Sequence, residues 1–357
     1  MIIEQFPPPG FQRKHLDLNE LKLLTGKKWM YASSGRACLF NILKSNNCKK
    51  ILIPNYVCKS ILTPIQQLNI KYFCYDFDVI DLNASLESIK SLSNKHNIDT
   101  ILVASMYGNP ANLQNIEEYC RINSIFLIDD AAQSFGSKLE NRFVGTYGNA
   151  GFFSFSPGKP TAAHMGGFFW TDNKVRTPNK NNFLIHYLRW LDFYWNRYKK
   201  IKCCYFVGRL LNLSSRIIFK FIKFNNDRLH SFESDILGGV LDGVLKGRFD
   251  FRREYGNAFF QKFSKSQTFR IIRSVRGVSN EHKIVLVFNE KKFAAEFILF
   301  MKNKKIYTSN GYKFLCKNKL PNMHVFDQRI VELPIVENKN KMNYMFEKVK
   351  EYENCYL

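Results

Sequence analysis

The sequence predicts an α/β fold with a large, mostly parallel sheet flanked by helices and a smaller C-terminal α+β domain. From about residue 27 to residue 130, short apolar stretches alternate with amphipathic ones, which is typical of a parallel sheet covered on both faces. One of these stretches, TILVASMY at 100–107, is apolar at most positions, as expected for a strand buried on both faces. After about residue 268 a second, smaller set of strands and helices follows.

The first part of the chain supplies the large sheet. An irregular arm leading to a short helix is expected over 1–26. Helical periodicity is clear in GRACLFNILKS (35–45), where apolar side chains recur at helical spacing. The predicted strands lie at 29–34, 49–54, 70–77, 100–107 and 124–130, and the predicted helices at 35–45, 57–68, 83–94 and 113–123.

The C-terminal part supplies the smaller domain. We place a large domain at 1–246, with a basic, aromatic helical insertion at about 180–222, and a small domain at 247–357. A helix is expected from 232 to about 246. Further helices are expected at 249–263, 291–304 and 343–355, and strands at 283–288 and 329–335.

The charge of the chain is strongly positive, with a formal net charge of +23. Such an excess indicates nucleic acid, an anionic membrane surface or phosphate-bearing substrates as partners, or only a lysine-rich proteome. No nucleic-acid recognition module can be identified, so we expect no nucleic-acid partner. The stretch 180–222 is either a membrane-surface segment or a solvated helical hairpin that packs on a dimer.

The apolar segments, the N-terminus and the cysteines all indicate in which cellular compartment the protein lies. No apolar run approaches the roughly 20 residues of a spanning helix, and Met1–Glu4 lead into prolines rather than into a signal peptide. The nine cysteines form no C-x-x-C pair, and their odd number argues against a disulfide framework. We therefore expect a cytoplasmic protein with cysteines as small core residues, and peripheral contact with the inner face of the membrane as an alternative.

Candidate chemistry lies at the predicted strand ends, where ligands sit in open parallel sheets. The stretch FFSFSPGK places Lys159 just after a buried strand, where an amine is costly unless it snorkels or reacts. Asp129 and Asp130 end another strand and must point to opposite faces. One of them faces the cleft, or caps a following helix.

A buried amine and a buried carboxylate form either an ion pair or the two ends of a cofactor site. Pyridoxal phosphate needs both, because its aldehyde condenses with a lysine and its ring nitrogen must stay protonated beside a carboxylate. Its phosphate needs a helix N-terminus and hydroxyls. The segment ASSGRA (32–37) offers these, unless Ser33 and Ser34 only cap the helix.

The sequence resembles the pyridoxal-phosphate-dependent nucleotide-sugar aminotransferases, which have the fold-type-I aminotransferase architecture. The resemblance covers about 27–173 in order and spacing, and is weaker toward the end. The segments that resemble the family are SSGRACLFNIL (33–43), ILIPNYVCKSILTPI (51–65), MYGNPANLQNIEEYC (106–120), LIDDAAQSFGS (127–137), VGTYGNAGFFSFSPGK (144–159) and GGFFWTDN (166–173).

The resemblance implies roles for individual residues. Lys159 would bond to the cofactor and shuttle the proton between substrate and cofactor. Asp130 would hold the pyridinium nitrogen, and Gln133 would contact the side of the ring hydroxyl. Ser154 and the backbone N–H groups at Gly35 would bind the phosphate.

Three further cofactor contacts follow from the same resemblance. Arg36 stands where the family often has threonine, and its guanidinium suits phosphate. Tyr56 would stack on the ring, although the usual register puts Cys58 there. Asn226 would reach the phosphate of the neighbouring subunit, which implies a homodimer with shared active sites.

The resemblance also implies the activity: transamination of a nucleotide-linked keto-deoxysugar, with L-glutamate as donor, for surface polysaccharide such as O-antigen or capsule. Where the family has Gly-Glu-Gly-Gly, this chain has His164-Met165-Gly166-Gly167, which leaves the substrate open. Two alternatives remain. A non-catalytic or membrane-associated relative is suggested by Met165 and the insertion, and a pyridoxal-phosphate-dependent sugar dehydratase by His164.

Overall fold

The computed structural model describes residues 17–156, 158–161, 166–175, 238–239, 241–244, 246–247, 250–316 and 320–355. The stretch 180–222, Asn226, His164 and Met165 lie outside these residues, as do most of the predicted arm over 1–26 and part of the predicted helix at 232–246.

The described helices and strands alternate through the first part of the chain, as predicted. The helices are α1 (Leu18–Thr25), α2 (Gly35–Ser45), α3 (Leu62–Gln67), α4 (Leu86–His96), α5 (Leu113–Ile122), α6 (Phe251–Phe263), α7 (Lys291–Asn303), α8 (Met323–Phe326) and α9 (Lys339–Asn354). Two 3₁₀ turns lie at Lys59–Ile61 and Met106–Gly108.

The strands form one large sheet, one smaller sheet and a short hairpin. They are β1 (Met30–Ala32), β2 (Lys50–Pro54), β3 (Lys71–Tyr75), β4 (Thr100–Ala104), β5 (Phe126–Asp130), β6 (Lys138–Leu139), β7 (Arg142–Phe143), β8 (Ala150–Ser154), β9 (Gly167–Thr171), β10 (Phe269–Ile272), β11 (Lys283–Phe288), β12 (Ser309–Asn310) and β13 (Ile330–Pro334).

The large sheet is mostly parallel, which confirms the predicted fold class. Its strand order is β1-β9-β8-β5-β4-β2-β3. The strands β3, β2, β4, β5 and β8 run parallel, whereas β9 is antiparallel to both β8 and β1. The carboxyl ends of β2, β4, β5 and β8 therefore meet at one edge of the sheet, and this edge is where a ligand is expected.

Helix α2 begins where the sequence places it, directly after β1. The Ser34 side chain caps it by accepting a hydrogen bond from the Ala37 N–H at 3.2 Å. Its apolar side chains are buried, with Cys38 and Ile42 fully covered. The helix N-terminus is thereby fixed against the ends of β8 and β9.

The smaller sheet is antiparallel, in the order β10-β11-β13-β12. Helices α7 and α9 cover it through aromatic contacts. The ring of Phe297 lies 5.1 Å from that of Phe288 and 5.0 Å from that of Tyr352. The sequence predicted β11 and β13 but not β10 (Phe269–Ile272) or β12 (Ser309–Asn310), because both are too short to show a clear pattern.

The cysteines are not all the isolated core residues that the sequence predicted. Cys74, in β3, forms a disulfide with Cys316, so the prediction was wrong for this pair. Cys355 is exposed and Cys58 is partly exposed, so these two are not core residues either. In the described ranges, no helix combines the length and the apolar character needed to span a membrane.

Candidate active site

The predicted site residues Asp130, Ser154 and Gly35 converge at the carboxyl edge of the large sheet. Asp130 ends β5 and Ser154 ends β8, and these two strands are neighbours in parallel register, with Asp130 opposite Phe152. Gly35 opens α2, and the preceding Ser34 forms a bridge with Gly166 just before β9. Three separate segments of the sequence thus meet within one small region.

The two adjacent carboxylates face opposite sides of the sheet, as strand alternation predicts. Asp129 is fully buried, and its Oδ2 accepts hydrogen bonds from the backbone N–H groups of Gly145 (2.6 Å) and Tyr147 (3.1 Å). Asp130 faces the strand-end cleft, and its Oδ1 accepts from the Ala132 N–H at 2.9 Å. Residues 132–136 form turns rather than a helix, so Asp130 does not cap a helix.

Lys159 lies in the turn that follows β8. Its backbone N–H donates to the Ser156 carbonyl at 3.1 Å, and Gly158 permits the turn with a φ of +92°. Burial lowers the pKa of the Lys159 ammonium, and the negative charge of Asp130 opposes that change. Conversely, burial raises the pKa of Asp130 to about 6, and the positive charge of Lys159 opposes that rise. The amine and the carboxylate are therefore electrostatic partners in one low-dielectric cleft.

Gly35 and Ser154 form a close backbone-to-side-chain contact. A Cβ atom at position 35 would lie 2.9 Å from Ser154 Cβ and 3.0 Å from its Oγ. Only glycine lets the first turn of α2 approach the serine so closely. The contact places a hydroxyl beside a helix N-terminus, where backbone N–H groups favour an anion. Arg36, the next residue, is exposed on the same turn.

Gln133 lies at the same edge but its side chain supports another segment. Its Oε1 accepts from the Tyr107 N–H at 3.2 Å, and its Nε2 points to Met106 Sδ at 3.7 Å. The Gln133 carbonyl accepts from the Asn280 side chain. The structure therefore shows Gln133 holding the 106–108 turn against the strand ends.

Tyr56 and Cys58, the two candidates for the ring-stacking position, differ in their surroundings. Tyr56 is 1% exposed, and its hydroxyl pairs with that of Tyr107 at 2.6 Å. Cys58 is partly exposed, and its Sγ lies 3.1 Å from the Ser60 hydroxyl. Tyr56 therefore belongs to a buried aromatic cluster, whereas Cys58 has a partly exposed thiol.

A second group of polar residues reaches the cleft from the smaller sheet, and the sequence did not predict it. Glu332 of β13 is 4% exposed and pairs with Lys283 of β11, and both act on Lys159 electrostatically. Burial lowers the pKa of His282 well below the usual value, and the positive charge of Lys159 lowers it further. The only signal in the sequence was a charged residue within each predicted strand, namely Lys283 in KIVLVF and Glu332 in RIVELPI.

Comparison with known proteins identifies the family. Residues 31–341 match the family described as DegT/DnrJ/EryC1/StrS aminotransferase family. The chain belongs to this family.

Curated relatives in this family match smaller parts of the chain. A GDP-perosamine synthase from Escherichia coli O157:H7 is 29% identical over 113 residues, 30% of this chain and 31% of the relative. One from Vibrio cholerae is 22% identical over 194 residues, 53% of this chain and 52% of the relative. A GDP-4-keto-6-deoxy-D-mannose 3-dehydratase from E. coli O55:H7 is 29% identical over 125 residues, 35% of this chain and 32% of the relative. The matches thus span about a third to a half of these relatives.

Solved structures of aminotransferases and of a sugar dehydratase share the fold over almost the whole chain. PseC of Helicobacter pylori, an aminotransferase involved in the biosynthesis of pseudoaminic acid, aligns with a TM-score of 0.73 at 15% identity, covering 94% of this chain and 90% of PseC. The E. coli GDP-4-keto-6-deoxy-D-mannose-3-dehydratase with bound hydrated PLP aligns with a TM-score of 0.70 at 17% identity, covering 92% and 90%.

The buried Asp129 makes a pH-dependent contribution to stability that can be tested. Burial raises its pKa from 3.8 in the unfolded chain to about 7, so between these values the folded state binds more protons than the unfolded state. The free energy of unfolding therefore falls as pH rises from 4 to 7, by up to about 1.4 kcal/mol per pH unit. Asp129→Asn should remove this component, measured by urea unfolding of both proteins across that range. Parallel pH profiles of the two proteins would contradict the assignment.

Proposed function

We propose that this family member is a pyridoxal-phosphate-dependent aminotransferase that moves an amino group from L-glutamate to a nucleotide-linked keto-deoxysugar. The observation that carries the proposal is the convergence of Asp130, Ser154 and the N-terminus of α2 at the carboxyl edge of the large sheet, with Lys159 in the turn that follows β8. Membership of an aminotransferase family supports it.

The residues at the cleft fit the cofactor. A phosphate suits the space beside the Gly35–Ser154 contact, because any side chain at position 35 would collide with the serine. A pyridinium nitrogen suits Asp130, whose carboxylate is buried and receives one backbone N–H from Ala132. The amine of Lys159 suits an aldehyde.

Each residue then has a stated task. Lys159 would hold the cofactor covalently, Asp130 would pair with its ring nitrogen, and Ser154, Gly35 and Arg36 would bind its phosphate. Gln133 orders the 106–108 turn at the same edge of the sheet. Asn226, outside the described residues, would reach the phosphate site of a second subunit, so we propose a homodimer.

The electrostatics of the cleft suit proton transfer. Bound pyridoxal phosphate supplies an electron sink that acidifies the α-hydrogen of an amino acid. Burial lowers the pKa of Lys159, which increases the fraction of neutral amine near neutral pH. The Lys159 Nζ could then accept a proton from the substrate and release it to the cofactor. Asp130 carries a negative charge above about pH 6 and can stabilise a cation opposite it.

We propose Cys58 rather than Tyr56 as the residue nearest the cofactor ring, because Tyr56 is buried in an aromatic cluster. Pyridoxal phosphate should then slow the alkylation of Cys58 by iodoacetamide several-fold, measured by peptide mass spectrometry. The exposed Cys355 is the matched control and should react at the same rate with and without cofactor. Equal rates at Cys58 under both conditions would contradict the placement.

The activity is tested with purified protein and a panel of nucleotide keto-sugars. The protein is incubated with ¹⁵N-glutamate and either GDP-4-keto-6-deoxy-D-mannose or a UDP-linked 4-keto-sugar. The mass of the sugar product is then measured by mass spectrometry. We expect a yellow protein in which borohydride links the cofactor permanently to the chain. We also expect a sugar product that carries ¹⁵N. A colourless protein that takes up no cofactor would overturn the proposal and favour a non-catalytic relative.

A sugar 3-dehydratase is the second candidate, because two of the curated relatives, from E. coli and Yersinia pseudotuberculosis, have that name. It would yield a deoxy product without ¹⁵N, so the same mass measurement separates the two. We infer a cytoplasmic enzyme in surface-polysaccharide synthesis. Binding to anionic vesicles would reveal any membrane contact through 180–222.

A further inference from the structure

A buried carboxylate from the smaller sheet anchors a polar network beside the candidate active site. Glu332 accepts hydrogen bonds from the Tyr107 hydroxyl at 2.8 Å and from the Ser309 hydroxyl at 2.7 Å, and it pairs with the Lys283 ammonium. With three donors, the carboxylate is well satisfied despite being only 4% exposed. It can therefore serve as the fixed end of the network.

A chain of hydrogen bonds leads from Glu332 back to the smaller domain through two tyrosines. Because Tyr107 donates its proton to Glu332, its oxygen must accept the proton of Tyr56 at 2.6 Å. The Tyr56 oxygen in turn accepts the backbone N–H of Tyr312 at 3.2 Å. Each hydroxyl of Tyr56 and Tyr107 is thus used within the protein.

The backbone of Tyr107 adopts an unfavourable conformation that the surrounding hydrogen bonds hold in place. Tyr107 has a φ of +57°, in the left-handed region that bulky residues rarely adopt. Such a conformation costs on the order of 1–3 kcal/mol and persists where the surroundings hold it. Gln133 holds the Tyr107 N–H, and Glu332 holds the hydroxyl.

The loop that carries Tyr312 lies directly over the carboxyl end of β2. The Leu315 N–H donates to the Asn55 carbonyl at 3.0 Å, and the Cys316 N–H to the Asn55 side chain at 2.8 Å. Gly311 allows this approach, because a side chain there would collide with the Tyr56 hydroxyl. The loop is thereby fixed at the edge of the sheet where the site lies.

The ring of Tyr312 is fixed, whereas its hydroxyl is not used by the described protein. The ring stacks on Tyr107 with centroids 6.2 Å apart and meets Tyr56 edge-on at 5.8 Å. Among the described residues, no group hydrogen-bonds to the Tyr312 hydroxyl. Burial raises the pKa of Tyr312 well above the usual value, and the negative charges of Glu332 and, less strongly, Asp130 raise it further. The hydroxyl therefore remains a proton donor beside the Lys159–Asp130 cleft.

We propose that the hydroxyl of Tyr312 binds the nucleotide-linked keto-sugar, which makes Tyr312 a specificity-determining residue from the smaller domain. The inference rests on the proposed function. A fixed phenol without a partner among the described residues is poised to bond a ligand, since its ring is already ordered when the ligand arrives. The neighbouring aromatic rings offer apolar surface to the C–H face of a sugar.

The chemistry of Tyr312 favours the sugar over the amino donor. A carboxylate of an amino acid calls for a cation, whereas a neutral hydroxyl on an aromatic ring suits the hydroxyl or carbonyl oxygens of a sugar. The test therefore measures the two substrates separately.

The experiment compares wild type with Tyr312→Phe, using the nucleotide keto-sugar of the panel that wild type aminates fastest. We expect KM for the sugar to rise roughly three- to tenfold, the value of one neutral hydrogen bond. KM for glutamate, the yellow colour and the denaturation midpoint should not change, because the hydroxyl has no partner in the described protein. Calorimetric titration with the corresponding nucleotide-amino-sugar should show the same loss of affinity.

Two control variants separate binding from structure. Tyr107→Phe removes a hydrogen bond that Glu332 uses, so it should lower the denaturation midpoint. Tyr119→Phe, on α5, should leave both KM values unchanged. An unchanged sugar KM in Tyr312→Phe, or a changed glutamate KM, would overturn the inference. If wild type aminated no sugar, the proposed function would be overturned and the inference with it. The measurement on wild type alone would reveal that outcome, before any variant is compared.

Discussion

Lys159→Ala should reduce turnover by at least about 10⁴-fold while leaving the protein folded. The variant loses the amine that bonds to the cofactor and moves the proton. The fold should tolerate the change, because burial already disfavours the ammonium form of Lys159. The readouts are steady-state amination of the sugar, the yellow colour after dialysis with cofactor, and the far-UV spectrum.

The matched control for this variant is Lys95→Ala, which removes an exposed lysine of α4. It should keep full activity and colour. If Lys159→Ala retained transamination, or a borohydride-fixed cofactor on another lysine, the assignment of Lys159 would be wrong. A small primary amine added to Lys159→Ala should restore part of the proton transfer, which a purely structural role would not allow.

Asp130→Asn should slow the reaction by about 100-fold or more while the protein still binds the cofactor. An asparagine has nearly the same shape, and its oxygen can still accept the Ala132 N–H. It carries no negative charge, however, so it cannot keep a ring nitrogen protonated. The yellow colour should persist through Lys159, and exchange of the glutamate α-hydrogen in deuterated water should slow in parallel with turnover.

The neighbouring Asp129→Asn is a sharp control for this prediction. Asp129 precedes Asp130 in the same strand but binds the Gly145–Tyr147 backbone on the other side of the sheet. Its replacement should change stability more than turnover. Comparable losses of activity in both variants would show that Asp130 acts through the fold and not through the cofactor.

The large sheet could be predicted because its signals are local. Helix α2 covers Gly35–Ser45 and β2 covers Lys50–Pro54, close to the ranges 35–45 and 49–54 that the sequence pattern indicates. The alternation of side chains in β5 also predicts that Asp129 and Asp130 separate. Such features depend on neighbours within a few residues, and the sequence displays them directly.

The contribution of the smaller domain could not be predicted, because it depends on long-range contacts. Glu332 meets Tyr107 across 225 residues, and Cys316 meets Cys74 across 242. No local pattern marks Tyr312 as a neighbour of the carboxyl end of β2, since only the contact of its loop with Asn55 brings it there. The sequence also left Tyr56 and Cys58 as alternatives for the stacking position, and the aromatic cluster around Tyr56 forms only when distant segments such as the one with Phe314 pack against it.

The close approach of Gly35 to Ser154 constrains how the protein can evolve. The two positions lie far apart in the chain, yet position 35 cannot gain a side chain unless position 154 first loses its own. Alanine at position 35 would be accommodated only in a lineage that had already replaced the serine with glycine, and that lineage would have lost the hydroxyl at the helix terminus. We therefore expect these two sites to covary among homologous genes, and the order of any substitutions to be restricted to the path that shrinks position 154 first.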